Sequence, residues 1–267
     1  MDDHKHYAMD SRFEKYQSFF DHRWARHFSE AAVGKGLSEA SFNLLFSWKA
    51  AANAFRLPWS SVMMLKNFAE AAMIRKTPPE DLLAALAAKV SRNMDGSWTT
   101  QHAEALRSEI AVLSDQISSA MEAAAPYAFD PATAWEELIK DHEFAMSVIA
   151  NTRNAYVAVW QGYENFVVWC VRHKTGTTIR IDRNFPGRLC KAFNVDIARH
   201  CWIDARPEAA RLIRNAIVHN GARETPQLQR IEHDIAVING ELQIWPDDVA
   251  ILYNHLQQCV DQLVDGI

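Results

Sequence analysis

The strongest constraint on the fold is a long stretch without proline, from residue 132 to residue 185. Proline interrupts a helix because it lacks the backbone N–H and clashes with the preceding turn, so a stretch without it permits long helices. Residues 132–173 are predicted to form one very long helix, or two helices joined near Asn151–Arg153 or Gly162. The run Thr175-Gly176-Thr177-Thr178 is expected to end this segment.

The remainder of the chain is also mainly helical in its pattern of apolar residues. Helices are predicted over residues 11–33, 38–56, 59–75, about 77–92, 106–121, about 187–200, 206–220 and from 246 onwards. Asn220-Gly221 is a good left-handed cap for the helix that precedes it.

One β-hairpin is expected among the helices. Apolar runs at Ile235–Ile238 and Glu241–Ile244 flank Asn239-Gly240, the strongest short hairpin turn. The predicted fold is therefore an all-α helical bundle with one small β-hairpin near the C-terminus.

The best candidate domain boundary runs from Ala125-Pro126 to Asp130-Pro131. It divides the chain into an α-helical N-terminal region of unknown role, residues 1–126, and a second helical domain, residues 127–267.

Composition excludes several classes of protein. The chain has 267 residues, 49% hydrophobic and 23% charged, which is typical of a globular protein. No apolar run is long enough to span a bilayer, and the first residues do not resemble a signal peptide, so we expect a cytoplasmic protein without membrane contact. The four cysteines and eleven histidines lack zinc-site or redox spacing, so no metal and no cofactor are expected.

Positive charge is concentrated in one part of an otherwise acidic chain. The net charge is -5, yet residues 172–230 contain twelve Lys or Arg against five Asp or Glu. Arginine, which predominates there, suits bidentate contact with phosphate. The alternative is a solvated surface on which these arginines pair with acids.

The segment most suggestive of chemistry is Arg214-Asn215-Ala216-Ile217-Val218-His219, followed by Asn220-Gly221. An Arg followed five residues later by His is expected about 0.7 times by chance in this composition, and requiring Asn after the Arg lowers this to about 0.04. A capped helix end explains His219, Asn220 and Gly221, but it does not explain Arg214 and Asn215.

This motif, near the end of a helix and followed by a short segment and a last helix, resembles the HEPN superfamily of all-α nucleotide- and RNA-associated domains. The resemblance covers about residues 130–267, where Trp160, Tyr163 and Glu164 lie on the long first helix. Some toxin members carry, two residues after the histidine, a tyrosine that a partner nucleotidyltransferase modifies. Gly221 stands at that position here.

The resemblance implies a metal-independent endoribonuclease that leaves 2′,3′-cyclic phosphate ends, in a defence or toxin–antitoxin setting with an antitoxin or nucleotidyltransferase partner. His219 is suited to general acid–base chemistry, and Arg214 to stabilising charge on the phosphate. Asn215, four residues before His219, can orient the imidazole or the phosphate. Some family members use an acid on the first long helix, where Glu164 is the candidate.

Helix geometry separates the two main residues of the motif. Arg214 and His219 lie about 140° apart around a helix axis, so a second subunit is one way to bring them together. In the family two motif helices meet across a two-fold axis, which predicts a homodimer that binds RNA. Arg206, Arg211 and Arg223 are then candidates for phosphate contacts.

Two further hypotheses remain open at this stage. One is a catalytically silent HEPN-like module that binds nucleotide, RNA or a protein partner. The other is a helical interaction protein in which the motif is only a capped helix end. The second would bury His219 and pair Arg214 with a core acid.

Overall fold

The computed structural model describes residues 15–61, 63–64 and 142–267, with a few isolated positions between 108 and 119. The predicted helix over 77–92, most of the one over 59–75, nearly all of the one over 106–121 and the predicted boundary near residue 126 lie outside these ranges.

Seven α-helices and one hairpin make up the described fold, which confirms the predicted all-α class. The helices are α1 (His22–Gly34), α2 (Ser38–Phe55), α3 (His142–Thr175), α4 (Phe185–Ala192), α5 (Val195–Ala198), α6 (Ala205–Asn220) and α7 (Pro246–Asp265). A π-turn spans Arg199–Ile203, a 3₁₀ turn spans Leu228–Arg230, and strands β1 (Ala236–Ile238) and β2 (Glu241–Gln243) pair antiparallel. Within the described ranges, no helix has both the length and the apolar composition that crossing a membrane requires.

The chain divides into two compact units. One comprises Met1–Met9 and Ser61–Asp141, and the other comprises Asp10–Ser60 and His142–Ile267. This grouping differs from the division after residue 126 that the sequence suggests. The reason is that α1 and α2 pack with the C-terminal helices, and α2 runs along α3.

Helix α3 is the centre of the second unit, and α2, α6 and α7 all pack against it. Its inward positions follow the i, i+3, i+4, i+7 pattern and are buried: Ala155, Tyr156, Val159, Trp160, Tyr163, Phe166, Val167, Cys170 and Val171. The helix continues through Asn151–Arg153 and Gly162, so the one-helix alternative is the one observed from residue 142 onwards.

Helix α1 begins later than the predicted residue 11. Lys15 to Phe20 form a turn and an irregular segment, and Asp21 caps the helix by accepting hydrogen bonds from the backbone N–H groups of Arg23 and Trp24. The backbone N–H of Asp21 donates to the Tyr253 hydroxyl at 3.1 Å. This contact with α7 accompanies the cap at the start of α1.

The predicted helix over 187–200 is also divided. Phe193 is extended, and the Asn194 side chain caps the next short helix by accepting from the Ile197 N–H at 2.7 Å. The chain then passes through the π-turn into α6, and π-turns are rare distortions that often occur at functional sites.

The hairpin forms where the sequence predicts it. Asn239 and Gly240 both have positive φ, at 54° and 77°, as a tight type I′ turn requires. Leu242 is fully buried and its N–H donates to the Ala222 carbonyl at 2.8 Å, so the hairpin is joined to the segment that follows α6.

Gly162 permits the close approach of α2 to α3. A Cβ at this position would lie 3.1 Å from two atoms of the Trp48 indole, which is fully buried and donates to the Val159 carbonyl at 2.8 Å. Because the indole is fixed by packing and by this hydrogen bond, it has little freedom to move away.

Gly162→Ala is therefore expected to lower the free energy of unfolding by up to about 2 kcal/mol, since overpacking costs about 1–3 kcal/mol and helix propensity returns about 1 kcal/mol. Urea unfolding followed by circular dichroism measures the change. Gly187→Ala in α4 is the matched control, because nothing lies within 4 Å of its added Cβ, and it should be neutral or slightly stabilising. Equal effects at the two positions would contradict the packing argument.

Candidate active site

The motif residues lie in the last two turns of α6. The inward face of this helix is buried against the core through Ala209, Ala210, Ile213 and Ala216. Arg214 and Asn215 are partly buried at the edge of this face, while His219 is exposed. The local sequence therefore places the two ends of the motif in different environments.

The Arg214 guanidinium is held by two amide oxygens. Its Nη1 donates to Asn215 Oδ1 at 2.9 Å, and its Nη2 donates to Gln161 Oε1 of α3 at 2.6 Å. Neither acceptor carries a charge, so the positive charge of Arg214 is oriented without being neutralised by them.

Glu164 lies one turn after Gln161 on α3 and shares the surroundings of Arg214. Burial raises the pKa of the Glu164 carboxyl, and the positive charges of Arg214 and Arg211 oppose that shift. We call Gln161, Glu164, Arg211, Arg214 and Asn215 the Arg214 cluster. The structure thus brings together four of the residues singled out from the sequence, and adds Gln161, for which the sequence carried no signal.

His219 does not belong to the Arg214 cluster. It lies five residues after Arg214, which corresponds to about 140° around the axis of α6. Among the described residues, no hydrogen bond or ion pair involves its ring. The exposed ring of His219 differs from the buried ring that the helical interaction protein hypothesis requires.

The end of α6 is sharply defined just beyond His219. Gly221 takes the left-handed conformation with φ 60° and ψ 36°, as predicted for the cap, and Ala222 follows it with φ 63°. The Ala222 N–H donates to the Ala216 carbonyl at 3.0 Å. The imidazole therefore projects from a helix turn whose end is fixed by backbone hydrogen bonds.

The three candidate phosphate-binding arginines occupy different places. Arg211 is in the Arg214 cluster and pairs with Glu208 at 3.5 Å. Arg206 is exposed at the start of α6, about 12 Å along the axis from Arg214, where it lines a cavity. Arg223 is exposed in the segment after α6. They do not form a single group.

Two other arginines of the basic stretch pair with acids of the same stretch. Arg188 contacts Asp182 at 2.6 Å, and Arg199 contacts Asp204 at 3.1 Å. These pairs are partly or largely exposed, so each contributes little to stability. Part of the basic stretch therefore matches the solvated-surface alternative, and part of it remains beside the motif.

A second group of reactive side chains lies elsewhere in the same unit. His200 of the π-turn, together with His255 and Cys259 of α7, places three ligand-type atoms within 4.8 Å of one another. A hydrogen bond with Cys201, and then the neighbouring imidazoles of His255 and His200, lower the pKa of the Cys259 thiol. In the sequence the only signal was the i, i+4 spacing of His255 and Cys259, because His200 is 55 positions away from His255.

Comparisons with protein-family models, with curated proteins and with solved structures found no match for this chain.

Proposed function

We propose that this chain is a metal-independent endoribonuclease of the HEPN type, which cleaves RNA to 2′,3′-cyclic phosphate ends as a homodimer. The observation that carries the proposal is the difference between the two ends of the motif. Arg214 is oriented by neutral amides and keeps its charge, whereas the His219 ring is exposed on the same helix.

In the proposed reaction the ribose 2′-oxygen attacks the adjacent phosphorus, and the bond from phosphorus to the 5′-oxygen breaks. The His219 imidazole either accepts the proton of the 2′-hydroxyl, with water protonating the departing 5′-oxygen, or protonates the 5′-oxygen, with water accepting the proton of the 2′-hydroxyl. The guanidinium of Arg214 stabilises the negative charge that develops on the phosphate oxygens, and only two of its five N–H donors are used by Gln161 and Asn215. DNA lacks the 2′-hydroxyl and is not a substrate.

A two-fold symmetric dimer can bring Arg214 and His219 together despite their separation around the helix axis. In the single chain Arg214 and His219 point to different sides of α6. A second α6 across a two-fold axis would face the Arg214 of one protomer with the His219 of the other. Asn215 then acts as a positioning residue, and Glu164 is a third candidate catalytic group. Arg211 and Arg223 are candidate phosphate contacts near the cleft.

The biological setting follows from the same resemblance. A defence or toxin–antitoxin role, with an antitoxin or nucleotidyltransferase as partner and a cytoplasmic location, is part of the proposal. Gly221 offers no hydroxyl at the position two after His219, so a nucleotidyltransferase partner would have to modify a different residue of this chain.

A second candidate function is a silent module that binds RNA or nucleotide without cleaving it. The inward hydrogen bonds of Arg214 to Gln161 and Asn215 favour this alternative, because they hold the guanidinium away from the exposed side of His219. Binding of a phosphate requires only the charge of the Arg214 cluster and leaves His219 without a role.

Cleavage of an end-labelled structured RNA in EDTA distinguishes these functions. The ribonuclease is expected to cut RNA under chelation, to leave cyclic phosphate ends, and to leave DNA of the same sequence intact. Circular dichroism in the same buffer checks that the chain stays folded. RNA binding without cutting would establish the silent module, and neither binding nor cutting would contradict both proposals.

A further inference from the structure

The His200, His255 and Cys259 side chains meet where the π-turn packs against α7. His255 and Cys259 are one turn apart on α7, and His255 Nε2 lies 3.7 Å from Cys259 Sγ. The rings of His200 and His255 are 5.2 Å apart between centroids. We call these three residues the His–His–Cys cluster.

These distances suit a common metal ligand set. Around a tetrahedral zinc ion, with Zn–S near 2.3 Å and Zn–N near 2.1 Å, sulfur and nitrogen ligands are separated by roughly 3.6 Å. The observed separation of 3.7 Å between Cys259 and His255 is close to that value. All three donor atoms lie within 4.8 Å of one another, so small side-chain rotations are enough to bring them around one ion.

A second observation also indicates a ligand. The Nε2 atom of His200 is buried and has no hydrogen-bond partner in the described part of the protein. Buried polar atoms are almost always satisfied, so an unpartnered ring nitrogen beside a thiol and a second imidazole calls for an explanation. Coordination of a cation would satisfy it.

The backbone around the cluster is held independently of any ligand. The Cys201 thiol donates to the Cys259 carbonyl at 3.5 Å, and the Cys259 thiol contacts the His200 carbonyl at 3.8 Å. The Tyr163 hydroxyl donates to the Cys201 carbonyl at 2.6 Å. These contacts join α3, the π-turn and α7, which pre-orients the ligand side chains.

A nucleophilic role for Cys259 is less consistent with the structure. The residue is fully buried, so a substrate as large as a nucleotide or peptide has no approach to the sulfur. A single ion needs far less space, and a surface cavity of about 270 Å³, lined also by Tyr156 and Arg206, reaches His255.

We propose that His200, His255 and Cys259 bind one zinc-class divalent cation, with water in the fourth position. Two imidazoles and one thiolate select zinc and similar transition metals over Mg²⁺ or Ca²⁺, which prefer oxygen ligands. The ion would join the π-turn to the last helix and stabilise the packing around Tyr163. This inference does not depend on the proposed ribonuclease activity.

Titration of the metal-stripped full-length chain with Co²⁺ tests the proposal. One equivalent is expected to bind and to produce the visible bands of tetrahedral Co²⁺ together with a thiolate-to-metal charge-transfer band. Zn²⁺ is expected to displace the Co²⁺ and abolish the bands, whereas Mg²⁺ is not.

Variants then assign the ligands. Cys259→Ser is expected to remove the charge-transfer band, and His200→Gln and His255→Gln to weaken binding by more than about 100-fold, since even loss of an outer-shell partner costs about 10–100-fold. The matched controls are Cys190→Ser, a thiol outside the cluster, and His27→Gln, an exposed histidine of α1, and both should bind as the wild type does.

Absence of a thiolate band from the wild-type chain, or its persistence in folded Cys259→Ser, would overturn the proposal. If Cys259→Ser fails to fold, the two histidine variants decide the question, and unchanged binding in both would also overturn it. A Cys201–Cys259 disulfide in place of metal binding, detected by counting free thiols in the unfolded chain, has the same consequence.

Discussion

His219→Ala is expected to lower the rate of RNA cleavage by about 10²–10⁴-fold, the usual contribution of a general acid or base. RNA binding should change only a few-fold, because the exposed imidazole makes none of the contacts that hold the Arg214 cluster together. Initial rates on labelled RNA, and retention of the same RNA on a filter, measure the two effects separately. His27→Ala, an exposed histidine on α1, is the matched control.

The partner residue in this prediction is Arg214. Arg214→Ala is expected to cost about 10²–10³-fold in rate, as the loss of a preorganised charge-stabilising donor does, and to weaken RNA binding as well. Arg214→Lys should recover little, because an ammonium does not reproduce the planar donors that Gln161 and Asn215 orient. Arg230→Ala, an exposed arginine of the same basic stretch, is the control.

Cleavage by His219→Ala at a rate within about tenfold of the wild type would rule out the acid–base role.

A mixed dimer with Arg214→Ala in one protomer and His219→Ala in the other is expected to retain about half of the wild-type activity. If each site takes its arginine from one protomer and its histidine from the other, one of the two sites in this dimer is intact. The two parent homodimers should both be inactive. Two different affinity tags, used in sequence, isolate the mixed dimer before the RNA assay.

The matched control carries both substitutions in one protomer and none in its partner. It has the same two changes, but each composite site then lacks one residue, so it should be inactive. A site built within one chain predicts the reverse order of activities for the two dimers. A chain that is monomeric at the concentrations of the assay and still cleaves RNA would rule out the composite site.

Much of the local structure could be predicted because it depends on neighbouring residues. Asn239-Gly240 forms its turn since both residues tolerate positive φ, and Gly221 ends α6 for the same reason. The all-α class follows from helical periodicity, and the absence of proline between Pro131 and Pro186 allows α3 to run to Thr175.

Predicted helix boundaries differ from the observed ones where a tertiary contact or a local cap interrupts the helical periodicity. The predicted start of the first helix at residue 11 is wrong for Lys15 to Phe20, where the chain turns beside Tyr253 before Asp21 caps α1. The predicted helix over 187–200 is wrong at Phe193, whose extended backbone permits the Asn194 cap. Periodicity alone carries no information on such interruptions.

The candidate site also has a part that the sequence predicts and a part that only the tertiary structure shows. The motif from Arg214 to His219 is visible in the sequence because its residues are neighbours on one helix, and their angular separation follows from the helix itself. The sequence therefore determined the all-α class, the hairpin, the cap at Gly221 and the motif. Only the tertiary structure placed Gln161 and Glu164 beside Arg214, and His200 beside His255 and Cys259. These contacts join segments that are distant in the chain. They result from the burial of the apolar faces of α3, α6 and α7 in a common core.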